Sequence, residues 1–245
     1  MDKKQEAPKK EVNKAPEYDL RALFDAGCHF GHRRRKWHPK MAPYIYTEKD
    51  GIHIFDLEKT ATQLQKAYNY AYKLGKQGKN LLFVGTKRQA REVVSEAAKS
   101  ANAMYITSRW LGGFLTNWQQ IRRSLNKMNN IEDGLATGKY DGHTKYERVQ
   151  LEKQKSRLER FFIGVKKIKD KPDCLFVIDP NHEKKVVIEA RKMGVPVIAL
   201  IDTNANPEDV DLVIPANDDA VNSVKLIANE IAKAYLQGKQ EAKKK

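Results

Sequence analysis

The chain has 245 residues, 40% of them apolar, and its 46 Lys and Arg outnumber 31 Asp and Glu to give a formal net charge of +15; that suits a folded chain with one sizeable core rather than a disordered one. No apolar run approaches the roughly 20 residues of a membrane span, the first residues have neither the apolar stretch of a secretory signal nor the composition of a transit peptide, and two distant cysteines, Cys28 and Cys174, suggest a reducing cytoplasm rather than a disulfide framework. So large a positive excess costs self-repulsion and implies a polyanionic partner, whose condensed counterions are released as its phosphates are neutralised.

Residues 1–17 are rich in Lys, Glu and Pro and read as a solvated tail, or as a basic arm that settles on phosphates. Asp19 can cap a short helix through Ala26, ended by Gly27. The glycines and Pro39 of residues 27–40 then predict a loop. Residues 44–47 and 52–55 read as short strands joined by a turn at Lys49-Asp50-Gly51. Leu57, Ala61, Leu64, Tyr68, Ala71 and Tyr72 recur at helical steps and predict an amphipathic helix over 57–77.

Strands and helices then alternate. Strands are expected at 81–84, 104–106, 174–178, 195–201 and 212–214, and helices at 87–100, 182–193 and 219–236. Continuous apolar strands with intervening helices indicate an α/β fold, its parallel sheet covered on both faces. Residues 117–171 break the rhythm. Trp118, Ile121, Leu125, Met128 and Ile131 make one helical stripe, and Leu151, Leu158, Phe162, Val165 and Ile168 a second, so this segment reads as an inserted antiparallel helical hairpin. The expected organisation is a tail at 1–17, a discontinuous α/β domain of 18–116 and 172–236, the hairpin at 117–171, and a basic tail at 237–245.

The charge is uneven along that plan: net +10 over residues 1–116, +7 over 117–171, −6 over 172–232 and +4 over the remainder. One lobe is acidic and the rest is basic, as expected if some faces meet a polyanion and another meets solvent or a protein. The densest basic run holds His32, Arg33, Arg34, Arg35, Lys36 and Lys40, with Trp37 among them and no acid from 26 to 47. Guanidinium forks match phosphate oxygens and flat side chains stack on bases, so RNA contact is expected here, against a plain solvated loop. Gly85-Thr86 with Lys87, Arg88 and Arg91 follows a strand and opens a helix, where backbone amides bind phosphate well, or where ordinary capping accounts for the pattern. Arg109 and Trp110 stand in a glycine-bearing loop. Asn117 is placed to cap the next helix, and Arg122 and Arg123 in its early turns oppose the helix dipole, which an external anion would relieve. The alternative for this arginine pair is a solvated face.

Cys28, His29, His32 and His38 invite a metal reading, but one thiolate without a CxxC is not the pattern of a closed structural zinc site. Asp179, His182, Glu183, Asp202, Asp218 and Asp219 lie near strand ends, where α/β enzymes keep their sites. Most of their surroundings have the residue types of caps and turns, and neither GxxxxGK[ST] nor GxGxxG occurs. A nucleotide- or sugar-phosphate-binding enzyme stays the competing hypothesis, and a free RNA-binding regulator a third.

Several blocks carry a family resemblance: GCHFGHRRRKWHPKMAPYIYTEKDGIHIFDLEKT at 27–60, FVGTKRQA at 83–90, RWLGGFLTN at 109–117, PDCLFVIDPNHEKKVVIEARKMGVPV at 172–197 and IDTNANPEDVDLVIPANDDA at 201–220. In this order they resemble the bacterial small-subunit ribosomal proteins of the S-two family, over about residues 18–236. The resemblance implies a flavodoxin-like, Rossmann-like three-layer fold with a five-stranded parallel sheet and an inserted coiled-coil hairpin. It implies no enzymatic activity, cofactor or small-molecule substrate. The partners it implies are the small-subunit ribosomal RNA near the head–body junction and other small-subunit proteins, including ribosomal protein S-one, which assists messenger RNA recruitment. Position by position, the basic segments that match are 32–40, 87–91 and 109–123.

Overall fold

The computed structural model describes residues 18–244, so the expected N-terminal tail lies outside the described residues. The chain begins with helix α1 (Leu20–Asp25), whose N-terminus Asp19 caps by accepting from the Arg21 amide. Strands β1 (Phe30–Arg33), β2 (Ile45–Lys49) and β3 (Ile52–Phe55) form a small antiparallel sheet in the order β1-β3-β2. The turn between β2 and β3 places Asp50 and Gly51 at φ 53° and 74°, the two left-handed residues that a tight hairpin needs. Strand β1 corrects the expectation of a loop over 27–40: it pairs with β3 through Phe30 opposite Ile54 and Arg33 opposite Ile52.

Helix α2 (Leu57–Lys76), capped by Asp56, leads to β4 (Leu81–Val84), α3 (Arg91–Ser100) and β5 (Met104–Ile106). Then come α4 (Trp118–Ala136), α5 (Lys145–Phe162), β6 (Cys174–Ile178), α6 (Lys184–Met193), β7 (Val197–Ile201), β8 (Leu212–Pro215) and α7 (Val221–Lys243). The five later strands form one wholly parallel sheet in the order β5-β4-β6-β7-β8. Strands β4, β6 and β7 are buried along their whole length, which is why they read as uninterrupted apolar runs.

Alternate side chains enter two cores. Leu81, Phe83, Phe176, Ile198 and Leu200 pack under α2, α3 and α7. Leu82, Val84, Leu175, Val177 and Ala199 face α6, the base of α4, Phe55 from the antiparallel sheet and Met41 from the 3-10 turn before β2. The result is the expected α/β three-layer fold of flavodoxin-like type.

Several boundaries differ from expectation. Helix α3 starts at Arg91 rather than 87, because residues 87–90 make a turn first. Helix α5 stops at Phe162 and a short 3-10 turn carries Val165, so the second apolar stripe outruns its helix. That stripe is also shallow: α4 buries Ile121, Leu125, Met128 and Ile131, whereas α5 buries Phe162 alone. Helix α7 continues to Lys243, so residues 237–243, read as tail, are helical.

Candidate nucleic-acid interface

All five parallel strands end on the same side of the sheet, and the basic segments gather there. Arg88 follows the end of β4, Arg109 follows the end of β5, and the loop from β5 delivers Arg122 and Arg123 on the first turns of α4. The antiparallel sheet is tied to the end of β7: the His32 amide donates to Asp202 Oδ1 at 3.0 Å and Thr203 Oγ1 at 2.9 Å, and the His38 amide donates to the Thr203 carbonyl at 2.7 Å. Gly31 permits this approach, since a Cβ there would lie 2.7 Å from Thr203 Cγ2. Arg33, Arg35 and Lys36 thereby stand at the carboxyl end of the sheet, on a cleft of about 340 Å³ that also meets Asp202 and Asp219.

Exposure divides the expected site residues into two groups. Arg33, Arg34, Arg35, Lys36, Lys40, Arg88, Arg91, Arg109, Asn117, Arg122 and Arg123 are exposed. Three of these have internal partners: Arg34 faces Glu48 at 3.5 Å, Lys40 pairs with Glu208, and Arg91 Nε donates to the Thr86 carbonyl at 2.7 Å. Asn117 occupies the cap position of α4, but its side chain makes no capping bond.

His32, Trp37, Lys87 and Trp110 are turned inward. Trp37 is half-buried against the His53 ring, with centroids 5.0 Å apart. Trp110 is 5% exposed. Its indole N–H donates to Glu189 Oε1 at 3.2 Å, and the Gly113 and Leu115 amides donate to the same carboxylate at 2.7 and 3.1 Å. Glu183 does the same for the other glycine-bearing loop, accepting from the Thr86 amide at 2.9 Å and from its hydroxyl. The Thr86 amide, in the segment that reads as a phosphate site in the sequence, thus bonds a carboxylate of the protein, and so do the amides of the 109–115 loop. No spacing signal marks Glu189, and Glu183, notable in the sequence as an acid near a strand end, carries no sign there of holding a loop.

Lys87 is the positive centre of an acidic cluster that is buried except at Asp219. Its ammonium lies 2.6 Å from Asp218, 2.6 Å from Asp219 and 3.4 Å from Asp179. Burial works against its charge, but these carboxylates outweigh burial and hold it above the ordinary lysine value. Asp218 is wholly buried; burial, with Asp179 and Asp202 nearby, pushes its carboxyl up to about 8 despite Lys87. His32 Nδ1 lies 2.9 Å from Asp202 Oδ2, and that bond raises the imidazole above its usual range, against burial. The acidic lobe thus turns much of its charge inward, rather than presenting it to a partner.

The four residues considered for metal do not converge. Cys28 is buried in the core, His29 stacks on Phe24 at 4.2 Å, and His38 accepts from the Lys40 amide. His32 alone turns to carboxylates. Among the described residues, the potential ligand atoms of His32, Asp202 and Asp218 lie within 4.8 Å of one another, and Lys87 already supplies positive charge to Asp218 there.

No described helix is long and apolar enough to cross a membrane. The family model described as ribosomal protein S2 matches residues 23–238, nearly the whole described chain and every basic segment discussed above.

Proposed function

The chain belongs to the ribosomal protein S2 family, a family of structural small-subunit ribosomal proteins that act in translation and bind RNA, and from that premise we propose that the carboxyl end of its parallel sheet is the surface that grips ribosomal RNA near the head–body junction. The observation that carries this reading is the gathering of Arg33, Arg35, Lys36, Arg88, Arg109, Arg122 and Arg123, remote in sequence, around one end of one sheet, all exposed. Cations on irregular backbone beside strand ends suit phosphate neutralisation and recognition of RNA shape, with little reading of base edges. Lys87 and Trp110 stand behind this surface and hold its loops.

The competing reading, a nucleotide- or sugar-phosphate-binding enzyme, gains nothing from this end of the sheet. The amides at 86, 113 and 115 that would hold a phosphate are bonded to Glu183 and Glu189. A thermal-shift screen with nucleotides tests that reading directly.

Docking of ribosomal protein S-one belongs to the same proposal. The acidic lobe offers less surface for it than its composition suggests, since Asp179, Glu183, Asp202 and Asp218 are buried. An aromatic patch offers more: Phe24 and Phe30 are 55% and 47% exposed, flank the buried ring of His29, and have the exposed Leu20 on the same short helix as Phe24. Exposed rings of this kind suit the core of a protein contact.

The test is the salt dependence of binding to small-subunit ribosomal RNA. Replacing Arg33, Arg34 and Arg35 by Ala should lower the slope of log affinity against log salt by about one for each phosphate that is no longer neutralised. An unchanged slope rejects this surface. Cosedimentation with the small subunit separates a ribosomal protein from a free RNA-binding regulator.

A further inference from the structure

A hollow of about 560 Å³ lies far from the strand ends, at the tip of the hairpin, lined by Tyr140, His143, Tyr146, Gln150, Lys153 and Arg157. Steps of four, three and four residues put Tyr146, Gln150, Lys153 and Arg157 on one face of α5. Leu151 adds an apolar side chain to the hollow, whereas Leu158 and Phe162, farther along α5, pack into the core with Ile121, Leu125 and Met128 of α4. Tyr146 is 72% exposed, a large ring held out in water where packing within the chain gives it no reason to be.

Tyr140 is seated rather than loose. Gly134 of α4 makes room for its ring, since a Cβ there would lie 2.3 Å from Tyr140 Cε2. His143 meets Tyr140 edge to face, with centroids 5.2 Å apart. The acid of the hollow is engaged elsewhere: Glu147 accepts from the Thr144 amide at 2.9 Å and its hydroxyl at 3.0 Å, closing the cap of α5. Against that one carboxylate the hollow sets two cations, Lys153 and Arg157. Ring faces, an amide and two cations on one wall match the parts of a nucleotide: a flat base to stack, base edges to bond, and a phosphate to neutralise.

We propose that this hollow receives an unpaired RNA base, stacked on Tyr146, with Lys153 and Arg157 on the adjoining phosphates. The proposal rests on the RNA-binding reading above and adds to it a second, stacking site on the hairpin. An acidic protein segment would answer to the cations but leave the rings without a role.

The test measures full-length protein binding to a single-stranded RNA oligonucleotide, to an RNA duplex of the same length, and to an acidic peptide, each over a range of salt. Tyr146→Ala should weaken single-strand binding roughly tenfold while leaving the salt slope unchanged, because stacking carries no counterion release. Tyr146→Phe should restore wild-type affinity, and Lys153→Ala should lower the slope by about one. Duplex binding should be indifferent to Tyr146. Tyr146 is exposed, so folding of the variants is checked simply by their unchanged circular dichroism. Wild-type single-strand affinity in Tyr146→Ala overturns the proposal, and so does a loss seen with the acidic peptide but not with RNA. If Tyr146→Ala is silent while the triple arginine variant weakens binding, the base site is wrong and the RNA reading stands. If both are silent, the RNA reading falls with it.

Discussion

Glu189 accepts the indole proton of Trp110 across 3.2 Å, and through that bond α6 grips the loop that leaves β5. The same carboxylate takes the amides of Gly113 and Leu115. Glu189→Ala would leave these donors without their acceptor beside a buried tryptophan. Hydrogen bonds to a charged group contribute about 1.5–3 kcal/mol each, and the losses overlap, so a destabilisation of about 2–4 kcal/mol is expected in urea unfolding. Glu189→Gln keeps one acceptor oxygen and should cost less. Amide exchange at 113 and 115 should accelerate in the alanine variant before exchange in β4 and β6 does.

Lys87 and Asp218 should show strong coupling. At pH 9, above the Asp218 value, Lys87→Met removes the cation that lets a wholly buried carboxylate ionise among like-charged neighbours, and breaking a buried pair costs about 3–5 kcal/mol. Adding Asp218→Asn removes the stranded charge, so the double variant should recover part of that loss. A double-mutant cycle by urea unfolding measures the coupling. Simple additivity would show that Lys87 does not serve Asp218.

The acidic cluster also sets a pH dependence. Asp218 keeps its proton in the folded chain up to about 8, while the unfolded carboxyl releases it near 3.8. Between these values the folded state holds a proton the unfolded state lacks, so stability falls as pH rises. His32 acts in the same direction: its folded value is raised above 6.5, so its contribution is complete below 6.5 and is lost as pH climbs through the raised value. Unfolding free energy should therefore decline from about pH 4 to about pH 8 through Asp218, more steeply above about pH 6.5 where His32 adds to it, by at most about 1.4 kcal/mol per pH unit for each proton. His32→Gln with Asp218→Asn should flatten the profile.

How much of this is legible in the sequence follows from where each signal resides. Strands β4 and β6 are evident because both faces are buried and every residue is apolar. The turn at Asp50-Gly51 and the cap at Asp19 are local chemistry. Strand β1 is not evident: Phe30-Gly31-His32-Arg33 is polar, and only pairing with β3 and the bonds from His32 to Asp202 and Thr203 make it a strand. The basic residues are legible as a set, yet their division is not. Nothing in the string Gly85-Thr86-Lys87-Arg88 says that one cation turns in and the next turns out; Asp179 and Asp218, 92 and 131 residues away, decide it. Glu183 and Glu189 are invisible as loop anchors for the same reason.

The end of α7 gives the sharpest case, because the sequence reads as a tail where the structure packs helix on helix. Helices α2 and α7 approach so closely that each needs a glycine: a Cβ at Gly75 would lie 2.2 Å from the Tyr235 carbonyl oxygen, and one at Gly238 would lie 2.1 Å from that of Tyr72. Backbone oxygens cannot swing aside as a side chain can, so Gly238→Ala must push the helices apart. Overpacking of this kind costs about 1–3 kcal/mol, occasionally more, against a small gain in helix propensity of about 1 kcal/mol. Truncation after Leu236 removes Gln237, which accepts the Tyr68 hydroxyl at 2.6 Å, and Glu241, which pairs with Lys76 at 2.7 Å. Both variants should melt below the parent chain, the truncation despite its smaller net positive charge. A truncated chain that melts with the parent would restore the reading of residues 237–243 as a solvated tail.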